Sequence, residues 1–282
     1  MSMLRIDAHH HLWRYDGTEY AWLSDGMSAL QRDFLVDDLQ AALSNADVAA
    51  AVAVQARQSV LETRFLLESA RESAAICAVV GWVPLASAGV RGVLDEFSSD
   101  KKFVGVREIT QGHAKRFFGA DDFNQGVSEL TRRGLTYDVL IHENELDEAT
   151  RFVQRHPKQQ FVLDHAAKPK IAAGELEPWR TKMHELARCE NVCCKLSGLV
   201  TEADWLRWSI EDLRPYLDVC VEAFGPKRLM AGSDWPVCLV ATEYARWWSV
   251  LEEYFAEFSD GERYGVFGGN AVKFYGIEGV QA

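Results

Sequence analysis

The residues best able to do chemistry in this chain are histidines and carboxylates, and they fall at a few defined places. His9 and His11 sit two apart in the run Arg5-Ile6-Asp7-Ala8-His9-His10-His11-Leu12-Trp13. Residues two apart in an extended chain face the same side, so the two imidazoles can share one metal ion. His10 faces away from them and is not a candidate. Further along, Glu108 follows Val106-Arg107, His142 follows Ile141, His165 follows Leu163-Asp164, and Asp234 follows Gly232-Ser233. Imidazole nitrogens and carboxylate oxygens are donors that suit zinc, manganese or iron. An ion held this way activates water, and a nearby carboxylate can take the water's proton.

Each of these residues also has a plain structural reading. His142 could be a loop histidine, and Asp164-His165 a hydrogen-bonded core pair. Glu108 could form a surface ion pair with Arg107. Asp234, before Trp235-Pro236, could be a turn residue or a helix cap. What favours a site is their shared placement at the ends of short apolar runs. His113, His156 and His184 lie in polar contexts and read as solvated.

Those runs are the elements that must position the site. Strand-like segments occur at Leu4–Ala8, Ala49–Gln55, Ile76–Val83, Phe103–Ile109, Thr136–Ile141, Gln160–Asp164, Val192–Leu196 and Arg228–Gly232. All are short, apolar and rich in β-branched residues. Amphipathic helical patterns at Val60–Ser73, Asp147–Arg155 and Trp179–Cys189 fall between them, and another helix is expected over Tyr244–Phe258. Gly268-Gly269-Asn270 reads as a turn before a last helix at Ala271–Tyr275, and Leu12–Asp38 as a long loop of the kind that is usually functional. Eight strands alternating with helices predict parallel βαβ units closed into a single (β/α)8 TIM barrel. One domain over residues 1–282 is expected, since no linker interrupts the chain. In such a barrel the C-terminal strand ends converge on one mouth, where catalysis sits.

Composition narrows the function. Of the 282 residues 48% are hydrophobic and 26% charged, and the net charge is −12, which argues against a nucleic-acid surface or a polybasic membrane anchor. No stretch of 18 apolar residues is present, and the first residues lack the apolar core of a signal peptide. The six cysteines follow no CxxC spacing and read as reduced thiols, so a cytoplasmic protein is expected. The sequence indicates no oligomeric state.

Several segments resemble the amidohydrolase superfamily, in its amidohydrolase-related branch of L-fucono-lactonase-like sugar lactone hydrolases. They are Ile6–Trp13 (IDAHHHLW), Val54–Gln58 (VQARQ), Leu163–Pro169 (LDHAAKP), Cys194–Gly198 (CKLSG), Leu199–Trp205 (LVTEADW), Leu229–Val237 (LMAGSDWPV) and Gly269–Tyr275 (GNAVKFY). The resemblance covers nearly the whole chain. It implies a barrel that opens the lactone of an aldonic acid, with His9 and His11 binding metal and Asp234 as general base. His165 is implied to contact the substrate carbonyl or a metal. Where related sugar lactonases read GxRH, this chain has Gly105-Val106-Arg107-Glu108, and it adds His142 on strand 5. That fuller set resembles superfamily members with a real metal centre.

The expected site is therefore one or two divalent ions, zinc or alternatively manganese, held by His9, His11, Glu108, His142, His165 and Asp234. Asp234 and His165 are the expected catalytic pair. Gln55, Arg57, Gln58 and Lys168 are candidates for sugar hydroxyls, and Trp13 and Trp235 for stacking on the sugar. Lys195 could ion-pair with a metal-ligating carboxylate. Two other readings compete: a metal-dependent decarboxylase of aromatic or dienoic acids on the same barrel, and a barrel that only binds.

Overall fold

The eight apolar runs become eight parallel strands in a computed structural model that describes residues 3–280. They are β1 (Ile6–His10), β2 (Ala50–Val54), β3 (Ile76–Gly81), β4 (Phe103–Ile109), β5 (Thr136–Leu140), β6 (Phe161–Leu163), β7 (Val192–Leu196) and β8 (Leu229–Ala231). They pair in sequence order, β1 through β8. A bridge from His10 to Trp235 brings the two ends together, giving a (β/α)8 barrel. Nearly every strand residue is buried, which is why the strands read as continuous apolar runs.

Two apolar layers hold the barrel. The larger lies between the sheet and the outer helices. The helix Val60–Glu72 is typical: Ser59 Oγ caps it by accepting from the Leu61 amide at 3.2 Å, and it buries Leu66, Leu67 and Ala70. The smaller layer fills the base of the barrel with Ile6, Ala8, Val52, Val54, Ala78, Val80, Val162 and Met230. Tyr275, from the helix Asn270–Tyr275, closes that layer from below.

Some element boundaries differ from expectation. β1 extends into the histidines. The segment expected as a long loop contains a short 3-10 helix at Asp25–Leu30, is pinned by a bridge between Trp13 and Phe34, and gives way to a helix at Val36. The helix over Tyr244 stops at Tyr254, and the expected turn at Gly268 is part of a π-helical turn, Gly265–Gly269.

Candidate active site

A break in register aims the histidines. Ile6 and Ala8 pack inside the barrel, so simple alternation would turn His9 outward. Instead the pairing of β1 with β2 shifts between Asp7 and His10, and His9 also faces inward, 3.2 Å from Lys195 Nζ. Such irregularities re-aim side chains next to active sites. His10 then points outward, buried, with neither ring nitrogen hydrogen-bonded.

The end of β8 is fastened to the same strand. The Asp234 amide donates to the His9 carbonyl at 2.8 Å, and the His11 amide to the Trp235 carbonyl at 2.7 Å. The buried Asp7 carboxylate accepts from the Ser233 amide at 2.8 Å and from the Tyr244 hydroxyl at 3.1 Å. Burial raises the Asp7 pKa to about 6 despite these bonds.

This scaffold gathers His9, His11 and Asp234. His11 Nδ1 lies 2.7 Å from the Val54 carbonyl, which can only accept, so Nδ1 carries the proton and Nε2 is bare. That Nε2 is 3.2 Å from His9 Nε2 and 3.2 Å from Asp234 Oδ1, and His9 Nε2 is 3.8 Å from the same oxygen. A tetrahedral ion with bonds of about 2.1 Å sets its donors roughly 3.4 Å apart. The three atoms thus lie close enough together that they could hold one metal ion. Burial, reinforced by Lys195 and His165, keeps His9 well below its usual pKa despite Asp164, which suits a neutral ligand. Burial alone would raise the Asp234 carboxyl, but the imidazoles of His165, His9 and His11 outweigh it and hold it below the ordinary range.

A second triad, His9, Asp164 and His165, also brings donor atoms together. Here the chain supplies its own cation. The fully buried Lys195 ammonium lies 3.0 Å from Asp164 Oδ1 and bonds to Asp138, itself held by the Tyr275 hydroxyl at 3.0 Å. Arg107 Nη1 sits 3.1 Å from Asp164 Oδ2 and 3.2 Å from His9 Nε2. Burial would raise Asp164, but Lys195, His9 and Arg107 together lower it well below the usual carboxylate value. The second triad is thus already neutralised by cations of the chain itself.

His165 stands beside the first triad. Its ring centroid is 4.4 Å from that of His9, and its Nε2 is 3.9 Å from Asp234 Oδ1. Its Nδ1 meets Ser197 Oγ at 2.9 Å, and burial lowers its pKa to about 4. A Cβ on Gly198 would lie 2.7 Å from His165 Nδ1, so this position admits only glycine. The residues His165, Ala166, Ala167 and Lys168 all have left-handed backbone, a strain of roughly 1–2 kcal/mol per residue for non-glycine positions.

Other expected residues lie elsewhere. On β4 side chains alternate, and Arg107 takes the inward position. Glu108 therefore turns away, accepting from Trp82 Nε1 at 3.0 Å and from Gln58, and burial raises it to about 7. It does not join the ligand cluster. Neither does His142, which is exposed on the turn after β5 and whose amide bonds Glu145. Trp13 is fully buried, with its indole N–H on the Arg32 carbonyl at 2.9 Å and its ring against Phe34. Trp235 packs edge-on against Phe34 as well. Both tryptophans support the loop rather than face the cleft. Gln55 is buried on the Arg107 carbonyl, Arg57 pairs with Glu19 and Glu62, and Gln58 is held by Glu108. Of the expected sugar-binding set, Lys168 lines the cleft. Among the histidines read as solvated, His113 is exposed and His156 is half-buried on Asn124.

The cleft has a volume of about 210 Å³, below the roughly 300–1,000 Å³ usual for drug-sized ligands. His11, Arg107, His165, Lys168, Asp234 and Gln111 form its polar side, and Trp22, Ala56, Ile109, Leu140 and Val237 its apolar side. Arg107 and Trp22 were missed by sequence reasoning. Trp22 lies within Leu12–Asp38, the long segment whose length suggests a function. Arg107 and Glu108 are adjacent, and only register decides which faces inward.

The parallel eight-stranded barrel thus carries a His-x-His pair at the end of its first strand and an aspartate after its eighth. The profile of the amidohydrolase family matches residues 6–277, and the chain belongs to that family. It is 41% identical to an L-fucono-1,5-lactonase of Burkholderia multivorans, over 98% of this chain and 97% of that protein. It is 37% identical to an L-fucono-1,5-lactonase of Burkholderia ambifaria, over 97% of this chain and 96% of that protein. A solved amidohydrolase from Burkholderia multivorans with bound zinc superposes with a TM-score of 0.93 at 42% identity, covering 97% of this chain and 99% of that one.

Proposed function

We propose that this protein hydrolyses a sugar lactone to the free aldonic acid, using one divalent ion, zinc or alternatively manganese, held by His9, His11 and Asp234. The carrying observation is the spacing of their three donor atoms, 3.2, 3.2 and 3.8 Å, at an open cleft. The substrate class is carried over from the lactonases this chain resembles.

A bound divalent ion supplies Lewis acidity and brings the pKa of water near 7. Asp234, ionised because the imidazoles hold its pKa down, takes the water's proton and returns it to the ring oxygen as the ring opens. His165 Nδ1 shares a hydrogen bond with Ser197 Oγ, and in the tautomer in which the hydroxyl donates, Nε2–H is free to donate to the developing oxyanion. Arg107 adds positive charge on the same side. Lys168 and Gln111 face the sugar hydroxyls, and Trp22 offers a stacking surface.

Among the described residues no helix is long and apolar enough to cross a membrane, and all six cysteines are unpaired, which supports a cytoplasmic setting. A screen of aldonolactones, followed by proton release with and without added Zn²⁺ or Mn²⁺, tests the proposal. Turnover of one lactone, with acid formed and no carbon dioxide, is expected. No lactone turned over, or carbon dioxide released from an aromatic acid, rejects it.

A further inference from the structure

Four consecutive residues after β6 run through left-handed backbone, and none is glycine. Their φ values are 53° at His165, 48° at Ala166, 59° at Ala167 and 52° at Lys168. A side chain crowds the carbonyl in this region, so such runs persist only where the surroundings over-determine them. The run is also the piece of chain that delivers both His165 and Lys168 to the cleft. Its closing bond, Lys168 amide to His165 carbonyl at 2.8 Å, makes a turn of about three residues, which places its first and last side chains on one face.

What holds the turn lies behind it. Trp179, the first residue of the helix Trp179–Ala187, is 1% exposed and donates its indole N–H to the Ala166 carbonyl at 2.8 Å. Its ring packs against Tyr216, with centroids 5.4 Å apart. Trp179 does not line the cleft, so its effect on chemistry can pass only through the peptide it holds. That peptide is in the middle of the strained run, and it must rotate if the run relaxes.

We propose that Trp179 is a positioning residue: its indole N–H clamps the left-handed turn from His165 to Lys168 and so sets both side chains against the substrate. The proposal rests on the lactonase reading of the cleft for its kinetic consequence, and on the backbone alone for its effect on stability.

Trp179→Phe keeps an aromatic ring and deletes the donor. Misplacement of a reacting group by about 1 Å can cost 10²-fold, so kcat is expected to fall about 10- to 100-fold while KM moves less. Replacing Ala166 and Ala167 together by glycine removes the side-chain conflict in the turn. That pair alone is expected to raise Tm by about 2–4 °C. Combined with Trp179→Phe, it is expected to restore kcat at least about fivefold, because a relaxed turn needs less clamping. A Trp179→Phe protein with lower Tm but unchanged kcat per folded molecule overturns the proposal. So does a lowered kcat that the glycines leave unrestored. If Trp179→Phe does not fold, the glycine pair decides alone, and no rise in its Tm overturns the clamp. Wild-type protein that turns over no lactone rejects the substrate reading instead. The clamp is then judged by whether Trp179→Phe lowers Tm less in the glycine background.

Discussion

Asp234 and His9 are joined by backbone, the Asp234 amide donating to the His9 carbonyl at 2.8 Å, although they lie at opposite ends of the sequence. The proposed base and a proposed ligand therefore share one stretch of ladder between β1 and the end of β8. Their side chains are placed by barrel closure, and swapping either side chain should leave the other in position. The first prediction uses that independence.

Asp234→Asn keeps the size of the side chain and an oxygen for the metal but cannot accept the water's proton. General base catalysis is worth about 10²–10⁴-fold, or roughly 3–5 kcal/mol of barrier. We expect kcat to fall by that much, with metal content near wild type by elemental analysis. Near-normal kcat would remove Asp234 as the base.

His11→Ala removes the bare Nε2, in a ring whose tautomer the Val54 carbonyl fixes through Nδ1. Metal per protein is expected to fall well below that of the wild type, and turnover with it. Chelation of the wild type is expected to abolish turnover, and added Zn²⁺ or Mn²⁺ to restore it. Metal-free protein with full activity would leave the imidazoles as hydrogen-bonding groups only.

His142→Asn is expected to change neither metal content nor kcat by more than about twofold, because His142 is exposed on its turn, and surface substitutions of this kind usually have small effects. Loss of metal that excess Zn²⁺ restores would place His142 at the ion after all.

Glu108 gives a pH signature. Burial raises its folded pKa to about 7 from 4.5, so the folded state holds the proton more tightly. Its contribution is fully favourable below about pH 4.5 and is lost as pH rises toward 7, while the unfolded carboxyl ionises first. The loss amounts to roughly 2–4 kcal/mol. Urea titrations from pH 4 to 8 should therefore show Glu108→Gln gaining on the wild type as pH rises. Parallel curves for the two proteins would count against it.

Limited proteolysis should give either intact protein or small peptides, since strand pairing runs unbroken from β1 to β8. A stable fragment of about 100–150 residues, the size of a typical domain, would show a separately folding part.

The number and order of the strands were legible in the sequence, because parallel strands buried on both faces are largely apolar runs. So were His9, His11, His165 and Asp234, since the ends of barrel strands meet at one mouth whatever their separation along the chain. What the sequence left open was the direction of each side chain. A strand alternates with period two, so the adjacent Arg107 and Glu108 cannot both face inward, and the sequence does not mark which one does. The register shift between Asp7 and His10 turns His9 inward, and it depends on how β1 pairs with β2. The left-handed turn at His165 depends on Trp179 and Gly198, which come from other parts of the chain. Trp13 and Trp235 are rich enough in surface to stack on a sugar, yet both are buried and pack against Phe34. Composition and period set which elements form, but contacts between distant segments decide which side chains line the cleft.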